Sequence, residues 1–201
     1  MYKHALDTIT YSFRDLKDLL AKASPARSGD DLAEIGATSY QERIAAQYCL
    51  SELPLDRFLN EALIPYEDDE VTRLIIDTHN KESFASVSGW TVGQLRDWLL
   101  SEAASADKIR SIASGLTPEM VAAVSKLMRN QDLIAVAQKI RVVTQFRSTV
   151  GLPGHFSSRI QPNHPNDDLR GILASTIDGL LRGSGDATIG VTPVTDDPET
   201  I

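Results

Sequence analysis

Apolar residues recur at helical spacing from about residue 11 to residue 140. A first helix is predicted within residues 11–23, because one of its faces would carry Phe13, Leu16, Leu19, Leu20 and Ala23. Start signals precede later helices, namely the capping-box pair Ser39 and Glu42, then Thr91, then Thr117-Pro118-Glu119. The pattern predicts a mostly helical region over residues 1–145.

The pattern changes near residue 142. Residues 142–146 favour β structure, and the glycines and proline of residues 151–154 predict a turn. A strand is then predicted over 155–161, a helix over 169–181 and a second strand over 187–192. A unit of this length makes its two strands parallel, with a right-handed crossover. The sequence therefore predicts an α/β fold in which residues 146–201 begin a parallel sheet.

This predicted sheet is unfinished. Parallel sheets are buried on both faces, and two strands with one helix cannot cover both. Either the sheet pairs with another polypeptide or the chain is the front part of a longer protein, and the physical argument favours the second. Residues 196–201 resemble the opening of a further helix.

Composition restricts the class of partner. The chain has 201 residues, of which 42% are hydrophobic and 24% charged, and its net charge is -8 at pH 7. This acidic balance, without a Lys/Arg run, predicts no nucleic-acid partner. The single cysteine, Cys49, excludes an internal disulfide and a cysteine-based zinc site. Without an apolar run of about 18 residues we expect no membrane contact and a cytoplasmic location.

Polar side chains gather at the predicted ends of the two strands. Arg159 and Gln161 are two residues apart and share one face, and Asn163 continues that face into the loop. Thr192 and Pro193 occupy the corresponding end of the second strand. Such a group could hold a small substrate that carries oxygen and nitrogen. It could equally be structural, with a buried arginine paired to a carboxylate and a glutamine bonded to loop backbone.

No metal site is predicted. The acidic doublets at residues 30–31, 68–69, 167–168 and 196–197 each precede an apparent helix, where acids favour the positive end of the dipole. His155 and His164 flank the first strand, but no third ligand has a convincing spacing.

A series of short segments resembles the N-terminal part of the ethanolamine ammonia-lyase large-subunit family. In the helical region these are Arg27-Ser-Gly-Asp30, Gln41-Glu-Arg43, Tyr66-Glu-Asp-Asp69, Val71-Thr-Arg-Leu-Ile75 and Gly115-Leu-Thr117. In the remainder they are Gly151-Leu-Pro-Gly154, Arg159-Ile-Gln-Pro-Asn163, Gly185-Asp-Ala-Thr-Ile-Gly-Val191 and Pro193-Val-Thr-Asp-Asp197. No single segment is specific, but their order along the whole chain is.

The resemblance implies a fold and an activity. The family places a helical region before an eight-stranded TIM (β/α)8 barrel, so residues 146–201 would form the first two βα units of an incomplete barrel. Its members use adenosylcobalamin to convert ethanolamine to acetaldehyde and ammonia by a radical mechanism. A small subunit helps to bind the corrinoid, large subunits form homo-oligomers, and a bacterial microcompartment is a plausible location.

The resemblance also implies site residues. Arg159 and Gln161 match substrate-pocket positions on the first strand, and Pro193 matches a position beside the cobalamin. Thr192 departs from the family pattern, which has asparagine as a substrate contact, so the substrate pose, the preferred amino alcohol or the activity could differ. Six further strands carry the rest of the family's site, so this chain alone is expected to be inactive. A non-enzymatic helical interaction module and a decayed fragment remain alternative interpretations.

Overall fold

The computed structural model describes residues 1–145, 149–184 and 188–195 of the chain. The chain divides into two compact units, Met1–Ile140 and Arg141–Ile201. The boundary that the sequence predicts, after residue 145, lies slightly later in the chain than this division and coincides with the end of a short strand. Each unit is described separately below.

The first unit opens with a β-hairpin rather than a helix. Strands β1 (Tyr2–Leu6) and β2 (Ile9–Phe13) pair antiparallel, and Asp7 turns the chain with a φ of 51°. The helix predicted over 11–23 is therefore wrong in its first part, because α1 spans only Leu16–Ala23. The inward side chains of β2 alternate along the strand, and Asp15 accepts a hydrogen bond from the Asp18 amide that starts α1.

The rest of this unit is helical, as the apolar spacing predicts. The helices are α2 (Ser28–Leu32), α3 (Tyr40–Ser51), α4 (Arg57–Asn60), α5 (Glu70–Asp77), α6 (Lys81–Ala85), α7 (Val92–Leu100), α8 (Ala106–Ala113), α9 (Pro118–Lys126) and α10 (Asn130–Lys139). Helix α3 packs against α1, the hairpin, α7 and α9, and the buried core surrounds it. No helix in the described part of the chain has the length and apolarity needed to span a membrane.

Two of the predicted helix starts are confirmed by their hydrogen bonds. Thr91 and Gln94 form a reciprocal capping box at α7. Thr117 accepts from the Met120 amide, and Pro118 takes the first position of α9, where its missing N–H costs nothing.

The predicted capping box at α3 is only half correct. Ser39 accepts from the Glu42 amide at 3.1 Å, but the Glu42 carboxylate does not return to Ser39. It accepts instead from the Thr38 amide at 2.6 Å and the Thr38 hydroxyl at 2.8 Å. Its other oxygen lies 2.8 Å from Lys22 Nζ, in an ion pair whose side chains are only 14% and 16% exposed. Glu42 therefore ties α3 to α1.

Replacing Glu42 by glutamine is expected to destabilise the chain by about 1.5–3 kcal/mol at pH 7, since hydrogen bonds to a charged acceptor are lost. Burial raises the pKa of Glu42, but hydrogen bonds from Lys22 and Thr38 outweigh it and leave that pKa below its ordinary value. The carboxylate thus stabilises the fold above its unfolded pKa of about 4.3 and ceases to do so as pH falls through the lower, folded value. Urea unfolding should show a smaller difference in the free energy of unfolding between wild type and Glu42→Gln at pH 3 than at pH 7. The exposed Glu102→Gln is the control, and an equal loss at both pH values would contradict the prediction.

The second unit contains the predicted strand–helix–strand order. Strands β3 (Thr144–Gln145) and β4 (Thr149–Val150) form a small antiparallel pair. Strand β5 (Arg159–Ile160), helix α11 (Leu169–Leu181) and strand β6 (Thr188–Ile189) follow, and β5 pairs parallel with β6. The α/β character is confirmed, with strands shorter than the 155–161 and 187–192 predicted. The helix predicted to open within 196–201 lies outside the described residues.

Candidate functional site

The register in which β5 pairs with β6 determines which residues lie side by side at the candidate site. Arg159 is opposite Thr188 and Ile160 opposite Ile189, and the Gly190 amide extends the ladder by donating to the Ile160 carbonyl at 3.0 Å. Because the strands are parallel, the segments that follow them leave the same edge side by side. The candidate residues predicted from the sequence lie at this edge and just beyond it.

Three of those polar residues are in direct contact. Gln161 Nε2 donates to the Thr192 hydroxyl at 3.1 Å, and the Thr192 amide donates to Asn163 Oδ1 at 3.2 Å. Gln161 and Thr192 are both exposed. The expectation that the two strand ends converge is thereby met for these residues, while their roles in binding remain predictions.

Arg159 lies against the second strand. Its guanidinium covers Gly190, where a β-carbon would come within 2.5 Å of Nη2 and 3.0 Å of Nε. Arg159 is exposed, and no carboxylate in the described ranges lies within ion-pair distance of it. Within the described ranges Arg159 is neither buried nor paired with a carboxylate, and the Gln161 amide nitrogen bonds the Thr192 hydroxyl rather than loop backbone. What remains is a charged, solvent-accessible donor beside an amide and a hydroxyl.

Pro193 directly follows Thr192 and is half-buried, in a segment without regular structure. Its ring offers an apolar surface and its nitrogen has no hydrogen to donate. These properties fit van der Waals contact with the edge of a large planar group such as a corrin, and supply no ligand to a metal. The ring of Pro193 is thus chemically compatible with the edge of the cofactor that the resemblance implies.

The turn between β5 and α11 makes a tertiary contact that the sequence interpretation missed. Asp168 caps α11 by accepting from the Arg170 and Gly171 amides, as predicted for an acid at a helix start. Asp167, assigned the same role, instead accepts hydrogen bonds from Val194 and Thr195, beyond β6. The pKa of Asp167 lies below its ordinary value, chiefly because the Val194 backbone amide donates to the carboxylate.

The other acidic doublets and the histidine next to this loop have structural roles where the chain is described, and the doublet at residues 196–197 lies outside the described residues. Asp69 caps α5 by accepting from Thr72, and Asp30 and Asp31 lie inside α2 rather than before a helix. His164 accepts two backbone hydrogen bonds through Nδ1. Over residues 1–145, 149–184 and 188–195, no three His, Cys, Asp or Glu side chains group in a way that could hold a metal ion.

Comparison with known proteins identifies the family. The family model for the ethanolamine ammonia lyase large subunit (EutB) matches residues 11–201. The ethanolamine ammonia-lyase large subunit of Escherichia coli strain K12 is 47% identical over 191 residues, which are 95% of this chain and 42% of that protein. That of Salmonella typhimurium strain LT2 is 46% identical over the same shares. The chain spans less than half the length of these relatives. It belongs to the ethanolamine ammonia-lyase large-subunit family.

Proposed function

We propose that this chain contributes one wall of the substrate site of an adenosylcobalamin-dependent ammonia-lyase that converts ethanolamine to acetaldehyde and ammonia by a radical mechanism. The observation that carries the proposal is the exposed Arg159 guanidinium, which has no carboxylate partner in the described ranges, at the strand edge where Gln161 contacts Thr192. The names of the relatives supply the substrate and the reaction class.

Each residue has a distinct role in this proposal. Arg159 presents the several N–H donors of a planar cation, so it stabilises negative charge that develops on the substrate. Gln161 uses one amide hydrogen on Thr192 and keeps its carbonyl oxygen to accept from the substrate hydroxyl or amine. The Thr192 hydroxyl accepts from Gln161 and retains its own hydrogen for donation to the substrate.

Pro193 is proposed to contact the cobalamin. When bound, adenosylcobalamin would supply the radical that starts the reaction, chemistry which no side chain of this protein provides. The protein residues bind and orient the substrate beside it, and the apolar ring of Pro193 excludes water from that edge.

The architecture and partners of the complete protein belong to the same proposal. Strands β5 and β6 with α11 would be the start of a (β/α)8 barrel that follows a helical region, with the division near residue 145. The complete large subunit would act with a small subunit, as part of a homo-oligomer, in the cytoplasm or a bacterial microcompartment. The word "large" in the relatives' names supports a smaller partner.

The test uses the complete large subunit that contains this sequence, produced together with its small subunit. Added adenosylcobalamin should change its absorption spectrum on binding, and ethanolamine should then yield acetaldehyde and ammonia in equal amounts. Omission of either the cofactor or the small subunit is the control. A complex that assembles but neither binds the corrinoid nor consumes ethanolamine would overturn the proposal in favour of a helical interaction module.

A further inference from the structure

A carboxylate from the loop after β5 accepts hydrogen bonds from residues that follow β6. Asp167 Oδ1 accepts from the Val194 amide at 2.9 Å, and Oδ2 lies 3.1 Å from the same nitrogen. Oδ2 also accepts from the Thr195 amide at 3.1 Å and the Thr195 hydroxyl at 3.0 Å. These contacts cross 27 and 28 positions of sequence, so they are tertiary contacts rather than part of a local turn.

The loop presents this carboxylate in a defined conformation. Asp167 has a φ of 52°, in the left-handed region that aspartate tolerates better than most residues, and its amide donates to the His164 carbonyl at 3.1 Å. His164 Nδ1 accepts from the Asn166 and Asp168 amides, each at 3.3 Å. The imidazole packs where a β-carbon on Gly171 would collide with it. The carbonyl and the imidazole of His164 thus hold the loop both before and after Asp167.

The segment held by Asp167 begins one residue after Pro193. The Thr192 amide is bonded to Asn163, and its hydroxyl to Gln161. Asn163 therefore fixes the start of the segment and Asp167 its end. The two residues proposed to meet the substrate and the cofactor, Thr192 and Pro193, lie between these anchor points.

We infer that Asp167 is a positioning residue, which holds the 192–195 segment so that Thr192 and Pro193 stay aligned with Gln161. This inference rests on the proposed function. A carboxylate so close to a site for an amine could instead bind the substrate ammonium. The hydrogen bonds argue against that role, because three donors from Val194 and Thr195 already use most of the about four acceptor positions of the Asp167 carboxylate.

Asp167→Asn is the most informative substitution, because it preserves the shape of the side chain while it changes the hydrogen bonding and removes the charge. The amide carries an NH₂ where one carboxylate oxygen stood, so two donors would face each other at Val194 or Thr195. The segment should detach, and displacement of substrate contacts by about 1 Å costs on the order of 100-fold in rate. In the complete enzyme with its small subunit, we expect kcat/KM for ethanolamine to fall by about 10- to 100-fold.

The control is Asp178→Asn, which removes the same charge from an exposed position of α11 that, among the described residues, forms its ion pair with Arg182. It should leave kcat and KM within about twofold of wild type, as expected for an exposed pair. A second readout separates positioning from general stability. If Asp167 acts through Thr192, then Thr192→Ala should lower kcat/KM much less in the Asp167→Asn background than in wild type. Full additivity would overturn the inference.

Hydrogen–deuterium exchange gives a readout independent of catalysis. Peptides covering residues 188–195 should exchange faster in Asp167→Asn than in wild type, while those from α11 should be unchanged. If Asp167→Asn does not assemble, Asp167→Glu decides, since it keeps the charge but moves the oxygens by one methylene. Wild-type kinetics together with wild-type exchange rates in either variant would overturn the inference about Asp167 and would leave the proposed function standing. A wild-type enzyme that does not consume ethanolamine would overturn the proposed function, and the exchange experiment would still decide on the position of the segment.

Discussion

Replacing Arg159 by alanine in the complete enzyme is expected to lower kcat/KM for ethanolamine by about 100- to 1000-fold, the usual cost of removing one preorganised donor from a reacting centre. The guanidinium is exposed at the strand edge and has no carboxylate partner in the described part of the chain, so little of its charge is used for stability. Arg159→Lys keeps the charge but not the planar array of donors, and should recover only part of the loss.

The matched control is Arg170→Ala. Arg170 is also exposed in the second unit and makes no ion pair within the described ranges, but it lies on helix α11 rather than on a strand. Its loss should leave kcat/KM within about twofold of wild type, as for an ordinary surface substitution. Equal effects of the two alanine substitutions would mean that Arg159 is only a surface charge.

Gly190 provides a second way to displace Arg159 without removing it. A β-carbon at Gly190 would lie 2.5 Å from Arg159 Nη2, and the backbone there does not need positive φ, so alanine mainly moves the guanidinium. Gly190→Ala should reproduce part of the Arg159→Ala loss and add little to it in the double variant. Equal losses from Gly190→Ala in both backgrounds would instead point to damage to the strand.

The local parts of this fold are predictable because their signals are short and physical. Asp168 before an apolar stripe and Thr117 before Pro118 both satisfy N–H groups within three residues, so the sequence alone places the starts of α11 and α9. The approach of Gln161 to Thr192 follows from the general rule that parallel strand ends meet at one edge. Neither inference requires knowledge of the path of the chain between them.

The missed features depend on that path. Asp167 has the same sequence context as a helix-capping acid, and only the return of the chain after β6 brings Val194 to its carboxylate. The lack of a side chain at Gly190 likewise matters only because the Arg159 guanidinium, from the neighbouring strand, lies where a β-carbon would be. The hairpin was missed for another reason. Phe13 is three residues before Leu16, a spacing that fits a helix face, although it closes a strand.

That hairpin predicts the largest stability effect in the first unit. Phe13 is fully buried at the end of β2, where it joins the core formed with α1 and α3. Phe13→Ala removes a whole aromatic side chain and leaves a cavity, so the free energy of unfolding should fall by about 3–5 kcal/mol. For a domain of this size the corresponding fall in Tm is about 6–20 °C. Urea and thermal unfolding of the 201-residue chain, followed by circular dichroism, would measure both.

Ile9→Ala is the matched control, because Ile9 lies on the same strand and is 57% exposed. It loses an aliphatic side chain of comparable β propensity, yet should cost less than about 1 kcal/mol, since little apolar surface leaves water at that position. The contrast between the two positions tests whether β2 is packed on the core at its Phe13 end and exposed at its Ile9 end. Equal costs at Phe13 and Ile9 would mean that the strand does not pack on α1 and α3, and that residues 2–13 are peripheral to the core.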